Sequence, residues 1–166
     1  MSVQFQDNSM QVKAEMEQAI IAYLHEAGGE LEAQTKQNMP NVQWYAQQKA
    51  KWKNVVDESK LEATVGNPMQ QSLWTEFGTG EYALHGDGRK GYWVYVKGNE
   101  DSPDSNGGKS YTLAEAKRIV AMMRADGIEA YCTKGQTPKK PLQNAFNTLK
   151  NPLINRAKAV LKAIGK

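Results

Sequence analysis

The chain has 166 residues and a mass of 18.5 kDa, the size of one domain with room for a small insertion. Twenty-one Lys and Arg against eighteen Asp and Glu leave a net charge of +3, too slight to mark a dedicated nucleic-acid binder. No apolar run is long enough to span a membrane, the polar first ten residues are not expected to be a signal peptide, and the single Cys132 excludes an intrachain disulfide or cysteine zinc site and suggests a reducing compartment.

The charge is unevenly placed. Residues 134–166 carry Lys134, Lys139, Lys140, Lys150, Arg156, Lys158, Lys162 and Lys166 and no carboxylate, so this segment is +8 and the rest of the chain −5. Opposite charge at the two ends suits pairing between copies, and the basic end also suits phosphate.

From Ser9 to about Asn38, Val12, Met16, Ile20, Leu24 and Leu31 recur at three, four or seven residues, which predicts an amphipathic helix. Ser9 is its expected N-cap, Gly28-Gly29 an expected kink or break, and Pro40 its end, since the residue before proline avoids the helical region. Asn41 to Lys53 reads as a loop with a short helical turn. Its Trp44, Tyr45 and Trp52, interleaved with Lys49, Lys51 and Lys53, fit a protein interface better than base stacking.

Lys53–Asp57 and Lys60–Val65 predict two strands joined at Asp57–Ser59, the second by its period-two alternation. Ser72–Phe77 is a third strand or a short helix, ended by Gly78-Thr79-Gly80. Tyr92-Trp93-Val94-Tyr95-Val96 is strand-prone, and residues 97–109 are a polar loop. Thr112 with Glu115 forms a capping box for a helix to about Ala125, stopped by Asp126-Gly127. Ile128–Thr133 is a further strand. Pro138 and Pro141 lead into a helix over about Gln143–Ile164, where Pro152 predicts a kink or a second segment.

Motifs for chemistry are weak. Gly86 to Gly91 matches G-x-G-x-x-G in letters, but a strand follows it where dinucleotide binding needs a helix. Asp101, Asp104, Asn106 and Glu115 have part of a calcium-loop spacing, yet Lys109 stands where that loop needs Gly, so a solvated acidic loop is expected. His25 and His85 lack partners at metal or triad spacing, and Cys132 lacks an evident base. No catalysis and no cofactor are expected; a hydrolase pocket around His85, Asp87 or Cys132 is the least favoured reading.

Three landmarks in order carry a resemblance: a helix closed by Lys36 to Pro40, the run Glu76-Phe77-Gly78-Thr79-Gly80 at an expected strand end, and Gln136 to Phe146 leading into the last helix, with Pro138, Pro141, Leu142 and Ala145 in outline. Together they resemble the neck and tail-completion proteins of long-tailed bacteriophages and prophages. The likeness covers about residues 9–80 and 136–164. Residues 84–135 fall outside it and are faintly similar to small βαβ modules that bind peptidoglycan.

The resemblance implies a structural virion protein that assembles as a ring, a hexamer being one expected size, in the neck between head and tail. It would be put together in the host cytoplasm. Its implied partners are copies of itself, a head-side connector and a tail-tube or terminator protein, with non-specific DNA contact in the lumen and no membrane. The implied interface residues are Glu76, Phe77, Gly78, Thr79, Gly80, Pro138, Lys139, Lys140, Pro141, Leu142 and Phe146, Glu76 meeting a cation of a neighbouring copy. The expected fold is a single α+β domain: a long N-terminal helix and a C-terminal helix packed on a small antiparallel sheet, with an inserted strand–helix–strand unit at 84–135. The alternative is a basic nucleic-acid-binding protein using the Lys-rich C-terminal segment and the Trp/Lys stretch.

Overall fold

A computed structural model describes residues 7–86, 88–98 and 108–164, with the side chain of Ile164 left aside. Asp87 and the calcium-loop positions Asp101, Asp104 and Asn106 lie outside the described residues. The fold is α+β, with long N-terminal and C-terminal helices and two small antiparallel sheets. It divides into two compact units: residues 1–68 with 141–166, and residues 69–140. The second unit is wider than the expected 84–135 insertion and takes in the Glu76–Gly80 run.

The first unit is built on α1 (Ser9–Asn38), which is unbroken through Gly28-Gly29. The expected break is absent, and Gly28 serves packing: the Asn54 amide fills the place where a Cβ would stand. Ser9 is not the cap; its N–H donates to the Asp7 carboxylate at 2.9 Å. Met39 is extended before Pro40, as the proline demands. Asn41–Lys53 is more ordered than a loop, with a 3-10 turn at Gln43–Tyr45 and a short helix α2 (Ala46–Lys51). Strands β1 (Lys53–Asp57) and β2 (Glu62–Gly66) pair antiparallel, Val55 opposite Thr64 and Asp57 opposite Glu62. The last element, α5 (Pro141–Ile164), runs on through Pro152 without a second segment.

Helices α1 and α5 are antiparallel. Asn38 Nδ2 donates to the Pro141 carbonyl at 3.0 Å, and the Tyr23 hydroxyl donates to the Leu153 carbonyl at 2.6 Å. The Arg156 guanidinium meets the carboxylates of Glu26, at 2.8 Å, and Glu30. The hairpin takes another side of α1. The Asn54 N–H donates to Glu32 Oε2 at 2.7 Å, beside Gly28. Gly28 and Glu32 lie two residues from Glu26 and Glu30, and positions two apart on a helix are about 200° apart around its axis. The hairpin and α5 therefore flank α1 on opposite sides. A small core of Met39, Tyr45 and Trp52, with Val65 and Leu142 against it, closes one end. Tyr45 and Trp52 are thus core residues rather than a surface for partners or bases; only Trp44, 64 % exposed, remains outside.

The second unit opens with α3 (Gln70–Phe77), so the Glu76–Gly80 run closes a helix and not the strand expected of that landmark. β3 (Trp93–Val96) and β4 (Ala130–Thr133) are joined through α4 (Leu113–Ala125). They pair antiparallel, Val94 opposite Cys132, so the unit is not a βαβ crossover, whose strands would be parallel. Val94, Ala130, Ala116 and Val120 are its buried core. The capping box is formed: the Glu115 carboxylate accepts from the Thr112 N–H at 2.8 Å.

Candidate functional site

The second unit joins two of the three landmark segments. After α3, the chain turns through Gly78 and Gly80, both buried and both left-handed at φ 75° and 60°. The incoming strand of backbone from β4 then locks onto it. Thr79 N–H donates to the Gln136 carbonyl at 2.9 Å, and Gln136 N–H returns a bond to Thr79 Oγ1 at 3.0 Å. Glu81 N–H donates to the Lys134 carbonyl at 3.0 Å, and Lys139 N–H donates to the Thr75 carbonyl at 2.8 Å. The result is a clasp made mostly of main chain.

Glycine is required here by space as well as by φ. A Cβ on Gly80 would stand 2.3 Å from the Lys134 carbonyl oxygen and 2.7 Å from the Trp93 ring. A Cβ on Gly78 would stand 2.7 to 2.9 Å from Tyr82, Pro138 and Gln136. A Cβ on Gly135 would meet the Thr79 carbonyl oxygen at 2.0 Å. Three backbones approach where side chains cannot.

A small electrostatic knot braces the clasp at its surface. Lys134 Nζ lies 3.3 Å from Glu81 Oε2 and over the Tyr82 ring. The Lys134 hydrogen bond, with the Gly91 N–H behind it, holds the Glu81 carboxyl below its ordinary value. The Tyr82 hydroxyl and then Glu81 raise the Lys134 ammonium.

The anticipated interface residues divide between the two units. Glu76 to Gly80 and Pro138 to Lys140 belong to the clasp and its approach, whereas Pro141, Leu142 and Phe146 belong to α5. Glu76 is buried, at 8 % exposure, which does not fit the expectation that it meets a cation on a neighbouring copy. Phe77 is exposed and stands 5.5 Å from the His85 ring. Lys139 is exposed, and Lys140 is held in the left-handed region at φ 54°. Pro141 is fully buried, Leu142 packs against the first unit's core, and Phe146 is exposed beneath the Lys150 ammonium.

Other candidate positions show no convergence. His25 is exposed, 3.9 Å from Glu58, and Cys132 packs half-buried beside the core of the second unit. Arg89 of the Gly86–Gly91 loop lies over the Trp93 ring. Among the described residues no group of three His, Cys, Asp or Glu is placed to hold a metal ion, and no helix is long and apolar enough to cross a membrane. No protein-family model, no curated protein and no solved structure matches this chain.

Proposed function

We propose that this chain is a structural assembly protein of a tailed phage or prophage, a neck or tail-completion component that self-associates and helps join a tail to a DNA-filled head. The observation that carries the reading is the clasp. Glu76–Gly80 and Gln136–Lys139, which lie more than fifty residues apart in the sequence and carry the resemblance, are joined by the Thr79 N–H to the Gln136 carbonyl and by the Gln136 N–H to the Thr79 hydroxyl. Such a junction fixes the geometry of the two segments relative to each other, which suits a part whose work is assembly. In this reading the partners are further copies of the chain, a head-side connector and a tail-tube or terminator protein, with DNA passing through the lumen by non-specific contact.

Negative-stain microscopy of the purified protein, with light scattering, tests the proposal. Closed particles with a central channel are the expected result. A chain that stays monomeric at every concentration counts against it. A duplex-DNA titration separates the rival reading: tight retention at physiological salt with a steep salt slope would favour a nucleic-acid-binding protein.

A further inference from the structure

In the first unit, two outward surfaces differ in sign and both carry exposed apolar side chains. The first is the outer face of α5. Arg156 points to Glu26 and Glu30 of α1, and Ile154 and Lys158, each two residues away, lie on the opposite side of the helix. Phe146, Ile154 and Leu161, at spacings of eight and seven, are each 42–49 % exposed. Every charge on α5 is positive: Lys150, Arg156, Lys158 and Lys162. The apolar stripe is about half exposed, and every charged residue beside it is a cation.

The second surface is the outer face and tip of the β1–β2 hairpin. Asn54 faces α1, so the alternation of the strand turns Val55 outward, and Val55 is 62 % exposed. Leu61 adds an exposed apolar group at the tip. Asp57 and Glu62 are directly opposite across the strands, an unfavourable like-charge pair, and Glu58 adds a third carboxylate. Lys60, 3.0 Å from Asp57, and the exposed Lys53 at the start of β1 offset part of this, so three carboxylates against two lysines leave the hairpin at −1.

We infer that these two faces bind each other between copies, the hairpin of one chain lying on the outer face of α5 of the next. The inference rests on the self-association proposed above and names its contact. Three observations converge on this occupant. The faces are opposite in charge, both carry exposed apolar side chains, and they lie on opposite flanks of α1. Two different faces on opposite flanks make a heterologous contact, which propagates head to tail and closes into a ring when the rotation allows. The Glu58 and Glu62 carboxylates meet the Lys158 and Lys162 ammoniums, while Val55 and Leu61 cover part of the Ile154–Leu161 stripe.

The test is mass measurement of the full chain by light scattering and native mass spectrometry, with circular dichroism to confirm folding. Two charge-reversal variants are compared: Glu58→Lys/Glu62→Lys and Lys158→Glu/Lys162→Glu. Each alone is expected to shift half-assembly to roughly tenfold or higher concentration, because like charges then face each other. Mixed one to one, the two variants are expected to reassemble, since each reversed face then finds a complement and each unreversed face keeps one. If a reversal prevents folding, the neutral pairs Glu58→Gln/Glu62→Gln and Lys158→Gln/Lys162→Gln replace it.

An assembling wild type whose variants assemble equally well overturns this contact and leaves the proposed assembly role standing. Variants that stay apart when mixed overturn it as well. A wild type that never assembles overturns the assembly role itself. Lysine reversals that abolish duplex-DNA retention while assembly is unchanged assign the α5 face to nucleic acid instead.

Discussion

Gly28 and Gly29 are neighbours in one helix and answer to different forces. Asn54 fills the space beside Gly28, while nothing lies within 4 Å of a Cβ on Gly29. Gly29→Ala is expected to stabilise the protein by about 0.5–1 kcal/mol through helix propensity, whereas Gly28→Ala must displace the Asn54 amide and is expected to lose most of that gain. Urea unfolding of the two variants checks the difference. Gly80→Ala meets both a left-handed φ and a carbonyl oxygen, so it is expected to destabilise the second unit by more than the ~1 kcal/mol of the φ term alone. Leu61 shows the reverse case. It occupies φ 54° without a glycine's freedom, and Leu61→Gly is expected to stabilise the hairpin by up to about 1 kcal/mol.

The elements are held by local devices and a few charged pairs. The α4 capping box joins Thr112 and Glu115 reciprocally, and Thr112→Ala is expected to cost about 1 kcal/mol, read from the urea midpoint. Helix α1 is tied to α5 through Arg156 and to the hairpin through Glu32. The Arg156 hydrogen bond lowers the Glu30 carboxyl, and the Lys36 hydrogen bond lowers the Glu32 carboxyl. A carboxyl depressed in the folded state adds stability that is present above its unfolded value, here 4.5, and is lost as the pH falls through the lower folded value. Both groups are partly exposed, so the effect is modest. Between about pH 5 and about pH 3 the urea midpoint of the wild type is expected to fall more steeply than that of Glu30→Gln/Glu32→Gln. Parallel curves would show that these bonds do not couple protonation to folding.

For the whole molecule, the proposed contact joins faces that are opposite in charge and apolar in part. Its ionic component is exposed and therefore screened, so assembly is expected to weaken, without vanishing, as salt approaches about 1 M, where the Debye length is about 3 Å. Light scattering across a salt series reads this directly; a mass independent of salt would argue for an apolar contact alone. The Lys-rich end, which the chain's charge division first singled out, belongs in part to the clasp at Lys134 and Lys139 and in part to the outer face of α5 at Lys150, Lys158 and Lys162.

Local sequence determined the elements wherever the signal was local. The period of α1 and α5, the Pro40 stop, the hairpin strands and the Thr112 capping box were legible because each depends on residues within a turn or two. It also supplied the glycines of the clasp, though not their reason. Tertiary structure decided what depends on distant neighbours. Asn54 gives Gly28 a packing role that no local signal announces, and the core draws in Tyr45 and Trp52, which interleaved lysines made look exposed. Glu76 is buried rather than offered to a neighbour. The pairing of β3 with β4 is antiparallel because strand direction is settled by how the connecting segment packs, which no spacing along the chain encodes. The two flanks of α1 likewise acquire opposite character only once the hairpin and α5 have packed, because the direction a surface faces is a property of packing rather than of sequence.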